Sequence, residues 1–117
     1  MDVVVGWFRL KPGKRGEFLA YTPSFTSSSR QRPGILFCEI TASPEDEDVA
    51  VLAIGFADKV SHDASIGRQE EADLIALLER IGVEASFENF SGERGRRDTL
   101  TFSGKAREQQ LDQMRTR

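Results

Sequence analysis

The stretch Val49–Phe56, VAVLAIGF, decides the fold because it has the form of a β-strand without a polar face. Alternate residues of a strand point to opposite sides of the sheet. A sheet in a small α+β domain usually buries one face under helices and leaves the other in water. This strand instead needs a cover on both sides: Val49, Val51, Ala53 and Gly55 face one way, and Ala50, Leu52, Ile54 and Phe56 face the other.

Three further segments have the composition of strands. Residues 3–10 (VVVGWFRL) and 35–41 (ILFCEIT) precede the central stretch, and residues 83–90 (VEASFENF) follow it. The first is apolar on both faces as far as Arg9, whereas the last alternates apolar and polar residues. The acidic connection ASPEDED is long enough to join the second and third strands as a hairpin.

Helical signals follow the first strand. After the turn KPGKRG, Phe18, Tyr21, Thr22 and Phe25 recur at helical spacing. Pro23 interrupts this pattern. It predicts a kink or a fresh start of the helix, with Thr22 as the cap and Pro23 in the first helical position.

Two helical segments are predicted between the third and fourth strands. Residues 68–81 carry one apolar stripe and end at Gly82. Asp58 is placed to cap a short helical piece, Lys59–Ser65. The main elements therefore follow the order β-α-β-β-α-β. This order predicts an α+β, ferredoxin-like protomer with a four-stranded antiparallel sheet and its helices on one face.

In this arrangement the helices leave the second face of the sheet without a cover. Three of the four predicted strands are apolar on both sides, and a soluble monomer exposes at most a few hundred Å² of contiguous apolar surface. Two sheets packed face to face would bury about 2,000 Å² or more, which is the range of obligate homodimers. We therefore expect a homodimer paired through the sheet faces. A partner of another kind, or the C-terminal segment folded over the sheet, is the alternative.

Composition is typical of one globular domain. The chain has 117 residues, of which 38% are hydrophobic and 30% charged. No apolar run reaches the ~18–20 residues of a membrane helix, and the N-terminal residues lack the basic start of a signal peptide. Cys38 is the single cysteine, so an internal disulfide and a Cys-based zinc site are excluded. These features predict a cytoplasmic protein without a membrane partner.

Charge is spread unevenly along the chain, whose net charge is −3. Residues 92–117 contain seven basic and four acidic residues. We interpret residues 1–91 as the folded domain and 92–117 as a basic polar tail, in which KAREQQLDQMR has the spacing of a partial helix. A nucleic-acid-binding domain normally has a basic folded face. An acidic body with a basic tail does not match that description, and we expect no nucleic-acid partner.

In their order and spacing, these segments resemble the antibiotic biosynthesis monooxygenase domain, a dimeric α+β barrel group that includes small quinol monooxygenases. The resemblance covers roughly residues 3–90 and rests on KPGKRGEFLAY, SRQRPGILFCEI, SPEDEDVAVLAIGFADKVSHDAS and LIALLERIG. It implies a homodimer whose sheets face each other, with a cavity between the helices and the sheet of each protomer. Members of this type oxidise quinols or polycyclic aromatics with O₂ and use no metal or flavin.

The chain departs from the family pattern at two positions. Family members often have a tryptophan near the end of the third strand, where this chain has Phe56. Many have a histidine where this chain has Ser65, and the only histidine here is His62. Haem-degrading relatives typically combine that tryptophan, an iron-ligating histidine and an asparagine on the first strand. This chain has Gly6 and Trp7 there and no asparagine, so haem degradation is not expected.

Cofactor-free oxygenation requires a base, a dry aromatic pocket and a donor for the developing oxyanion. His62 is the candidate base, because a histidine side chain titrates near pH ~6.5. The alternative is a surface histidine in the polar run SHDAS, where the adjacent Asp63 does not face its ring. The indole N–H of Trp7 could donate to a substrate oxygen. The candidate substrate-binding residues, which fit an ordinary core at least as well, are Trp7, Phe18, Tyr21, Phe25, Phe37 and Phe56.

Other motifs carry structural rather than chemical predictions. Arg30 suits the dipole at the end of the first helix, Cys38 is expected to be buried and inert, and GERGRRD is interpreted as a linker. No phosphate loop, zinc spacing or Rossmann glycine pattern occurs. Through the resemblance, the sequence predicts a small cofactor-independent monooxygenase acting on an aromatic or quinol-type compound with O₂. The alternative is a non-catalytic dimeric module that binds a small ligand or serves in stress.

Overall fold

The computed structural model describes residues 1–91 and 94–102, and within 94–98 it describes the backbone. The elements are β1 Asp2–Leu10, α1 Arg15–Arg30, β2 Ile35–Ala42, β3 Val49–Phe56, α2 Lys59–Ser65, α3 Gln69–Ile81, β4 Gly82–Ser91 and β5 Arg94–Thr101. The strands form one antiparallel sheet in the order β2-β3-β1-β4-β5. The predicted α+β, ferredoxin-like arrangement is confirmed.

The sheet has five strands, so the expected count of four is wrong. β5 pairs with β4 from Ser91↔Arg94 to Glu84↔Thr101, and it lies within the segment that the sequence suggested was linker and tail. Its sequence RGRRDTLT contains one apolar residue, so its composition did not predict a strand. Charged residues are nevertheless common on edge strands. Leu100 and Phe102 join the buried core. The predicted partial helix KAREQQLDQMR lies outside the described residues.

α1 runs through Pro23 without interruption, so the predicted fresh start capped by Thr22 is wrong. A proline within a helix leaves the carbonyl four residues earlier without its usual N–H donor. Here that carbonyl belongs to Leu19, and the Thr22 hydroxyl donates to it at 3.1 Å. Pro23 itself is exposed. The Thr22 side chain thus compensates for the proline instead of capping a new helix.

The helices cover one face of the sheet. On β1 this face carries Val4, Phe8 and Leu10, each at most 8% exposed. It packs against the buried stripe of α3 and against Phe18 of α1. The other side of the sheet, which we call the open face, is not covered by any helix of the described part of the chain. Its apolar residues include Val3, Val5, Trp7, Phe37, Val49, Val51, Ala53 and Phe90.

A glycine brings α2 close to the start of β2. Gly34 has a φ of +83°, and a β-carbon at this position would collide with the Ser61 side chain. Only glycine combines this backbone conformation with such a close approach. The Gly34 carbonyl also accepts from the Ala57 N–H at 2.7 Å. These contacts hold α2 against the sheet edge where the site described below is built.

No helix in residues 1–91 and 94–102 is long and apolar enough to cross a bilayer.

Candidate functional site

A cavity of about 430 Å³ lies between the helix-covered face of the sheet and the helices. Its volume falls in the range of small-molecule pockets, about 300–1,000 Å³. The walls are mainly apolar, and a few polar side chains reach them, as is typical of ligand sites. The apolar lining includes Val4, Phe8, Phe25, Leu52, Ile54, Phe56, Leu74, Leu78 and Phe87, and the polar lining includes Ser29, Arg32, His62, Ser65 and Asn89.

Two contacts hold the ring of His62, a polar residue of this lining. It lies on α2, which begins as predicted with Asp58 accepting from the Ser61 N–H at 2.8 Å. Its ring stacks on that of Phe56, with centroids 4.5 Å apart and planes within 11°. Its Nδ1 lies 3.0 Å from Asp2 Oδ2. The stacking and the hydrogen bond together fix the plane of the imidazole.

Asp2 is the partner that orients His62. Its side chain is 7% exposed and that of His62 is 20% exposed. The hydrogen bond from His62 lowers the pKa of the Asp2 carboxyl, and a hydrogen bond from Ser91 acts in the same direction. An ionised Asp2 accepts from Nδ1–H, which selects the tautomer in which Nε2 is the basic nitrogen. A histidine oriented by a carboxylate at an apolar cavity can act as a general base.

Acid is expected to weaken the protein through Asp2. A carboxyl whose pKa is lower in the folded chain stabilises it fully above its ordinary value of about 3.9, and this contribution is lost as pH falls through the lowered value. The melting temperature of the native chain should therefore exceed that of Asp2→Asn near neutrality. The difference should shrink as pH is lowered below the ordinary value and through the lowered one. A difference that stays constant over this range would show that the charge of Asp2 does not contribute.

Two of the six residues proposed from the sequence to bind substrate line this cavity, namely Phe25 and Phe56. Phe18 is fully buried and packs on Phe8, with ring centroids 5.2 Å apart. Tyr21 packs partly buried against the core, and burial raises the pKa of its hydroxyl.

Trp7 and Phe37 lie on the open face, where they are 38% and 39% exposed. The strand register places Trp7 beside Val51 and Phe37 beside Gly55, away from the cavity. The structure therefore does not bring the Trp7 indole to His62. Both aromatic residues belong to the uncovered apolar surface.

Arg32 and Glu70 form a second polar group at the cavity, which sequence reasoning missed. Arg32 Nη2 donates to Glu70 Oε2, and Glu70 Oε1 accepts from the Ser28 hydroxyl at 3.2 Å. The only signal was the run SRQRPG, from which Arg30 was selected. The Arg30 guanidinium instead donates to the Cys38 carbonyl and pairs with Glu39, at 3.0 and 2.7 Å.

Within residues 1–91 and 94–102, no group of three or more His, Cys, Asp or Glu side chains is gathered as a metal site requires.

The fold matches solved structures of known proteins. A Deinococcus radiodurans protein with the provisional name antibiotic biosynthesis monooxygenase superposes with a TM-score of 0.74 at 8% identity, over 80% of this chain and 94% of that one. A Nitrosomonas europaea protein of the same provisional name gives 0.72 at 18%, over 80% and 100%. SnoaB, a cofactor-independent oxygenase from Streptomyces nogalater, gives 0.67 at 12%, over 80% and 93%.

No protein-family model matches the sequence, and the comparison with curated proteins gives no significant match. The expected resemblance is thus confirmed at the level of the fold. The chain has the fold of these proteins.

Proposed function

We propose that this chain is a small cofactor-independent monooxygenase that oxidises an aromatic or quinol-type compound with O₂. The His62–Asp2 pair at the apolar cavity is the observation that carries the proposal. It supplies an oriented base beside a site whose walls suit an aromatic ring. The fold shared with SnoaB, a cofactor-independent oxygenase, supports the same reaction class, although a fold alone does not fix a function.

For a hydroxylated aromatic substrate, the proposed reaction balances without an external reductant. His62 Nε2 removes the hydroxyl proton, and the resulting anion passes one electron to O₂. The two radicals combine to form a C–O bond, and the returned proton gives a hydroperoxide. The O–O bond then breaks as the ring carbon loses its hydrogen. One oxygen atom becomes a carbonyl and the other leaves as water, so the phenol becomes a quinone.

We further propose that the protein acts as a homodimer paired through the open face. Trp7, Phe37 and Phe90 expose between 38% and 43% of their surface there. They lie on the same face as the valines of β1 and β3, and soluble monomers rarely expose large contiguous apolar surfaces. A second copy presents the same apolar strands, so pairing covers both surfaces at once.

Oxygen consumption tests the proposed reaction directly. With 1-naphthol and related hydroxyarenes, we expect uptake of one O₂ per molecule oxidised, and ¹⁸O₂ should place one labelled atom in the quinone. The heat-denatured chain controls for autoxidation. Uptake no faster than this control across the panel, combined with ligands that raise the melting temperature, would instead support the non-catalytic binding module.

A further inference from the structure

A buried nitrogen at the cavity has no hydrogen-bond partner. Arg32 lines the cavity, and its Nη1 is enclosed without a partner among residues 1–91 and 94–102. Buried polar atoms in proteins are nearly always paired, and an unpaired donor carries the full cost of its lost hydration. The other terminal nitrogen of the same guanidinium, Nη2, is already engaged by Glu70. The N–H groups of Arg32 Nη1 are therefore left for a ligand.

The charges around Arg32 indicate what kind of ligand oxygen would accept a hydrogen bond from it. Two arginines and two glutamates line the cavity, namely Arg32, Arg68, Glu70 and Glu71, and burial raises the pKa of the Glu71 carboxyl. The Glu70 backbone N–H and the Arg32 guanidinium lower the pKa of the Glu70 carboxyl, which keeps it ionised beside Arg32. A ligand carboxylate would have to lose its hydration beside Glu70, whose charge already neutralises that of Arg32. A neutral oxygen avoids that cost.

We infer that the cavity takes a neutral aromatic compound bearing a carbonyl or hydroxyl oxygen, and that Arg32 donates the hydrogen bond that anchors this oxygen. The inference rests on the proposed function, because this compound is its substrate. Nη1 is covered by neighbouring atoms, so the guanidinium has to turn toward the cavity to reach the ligand. The same donor then stabilises negative charge that develops on the oxygen during oxidation.

Binding of three matched probes tests the inference without any turnover. 2-Acetylnaphthalene has a neutral acceptor, 2-naphthoate has an anionic one, and 2-isopropylnaphthalene has the same shape and no acceptor. Titration followed by naphthalene fluorescence should show the ketone binding about tenfold or more tighter than the hydrocarbon, which is typical for a charged donor. It should also bind tighter than the carboxylate.

Two variants test whether Arg32 causes the preference for the ketone, and each is expected to change the order of affinities in a different way. Arg32→Met keeps the length of the side chain and should remove the preference for the ketone over the hydrocarbon. Glu70→Gln removes the compensating negative charge and should make 2-naphthoate the tightest of the three probes. Arg30→Met is the matched control, because Arg30 is held by Cys38 and Glu39 and does not line the cavity. It should leave the preference unchanged.

Equal binding of the ketone and the hydrocarbon to the native chain would overturn the inference, and so would failure of all three probes to bind. The inference would also be overturned if Arg32→Met kept the preference for the ketone over the hydrocarbon. The same holds if Arg30→Met removed that preference as fully as Arg32→Met. If Arg32→Met does not fold, the response of 2-naphthoate to Glu70→Gln decides the question. These results are independent of oxygen uptake, so an inactive chain that still shows the preference would contradict the proposed function and not the role of Arg32.

Discussion

Replacing His62 with glutamine is expected to lower oxygen uptake by a factor of about 10²–10⁴, the usual contribution of a general base. The glutamine amide can still donate to Asp2 and fill part of the ring's volume, but it cannot take a proton from the substrate. The melting temperature and the oligomeric state should change little. The measurement is the initial rate of O₂ consumption with a hydroxyarene that the native chain oxidises, corrected for autoxidation.

A neighbouring acid provides the matched control for this prediction. Asp63 adjoins His62 in the sequence but pairs with Lys59 at 3.2 Å, whereas Asp2 contacts the imidazole. Asp63→Asn should therefore leave the rate within about twofold of the native value, since surface ion pairs contribute little. If His62→Gln turned over substrate as fast as the native chain, His62 would have no part in the reaction.

The order of strands and helices could be predicted because its signals are local. The apolar run of β3, the stripe of α3 and the capping residue Asp58 are each visible within one short segment. Their periodicity reflects which side chains meet the core, and that pattern does not depend on distant residues. β5 escaped prediction because RGRRDTLT has no such periodicity, and its pairing with β4 is what makes it a strand.

The candidate site could be predicted only in part, because it depends on contacts between distant segments. His62 was recognisable by residue type, but its partner Asp2 lies 60 residues away. The register of β1 on β3 places Asp2 opposite Phe56, on which the imidazole stacks. No local pattern encodes that register. It follows from packing the two apolar strands side by side.

The sequence also did not predict on which side of the sheet each aromatic residue lies. Trp7 and Phe8 are adjacent on β1, a strand that is apolar on both faces, so alternation separates the two residues without saying which one faces the helices. The structure places Phe8 in the core and Trp7 on the open face. On a strand with one polar face, the apolar side chains can be assigned to the helix-covered side. The glutamates of β4 allow that assignment.

A charge placed on the open face is expected to separate the proposed dimer into folded monomers. Val51 lies near the middle of this face, on β3 beside Trp7 of β1. In a symmetric pair, Val51→Glu would bury two carboxylates without partners, and an uncompensated buried charge costs about 3–5 kcal/mol. The dissociation constant should therefore rise by about a hundredfold or more. Analytical ultracentrifugation over micromolar concentrations should show a dimer for the native chain and a monomer for the variant.

A control for this prediction is the same substitution at an exposed valine outside the open face. Val60 on α2 is 78% exposed, so Val60→Glu adds the same charge without entering the interface and should remain dimeric. Circular dichroism should show both variants folded, since in the monomer a glutamate at position 51 meets water. A native chain that sediments as one subunit at these concentrations would contradict the dimer. Equal dissociation of both variants would instead mean that net charge, and not the open face, governs the association.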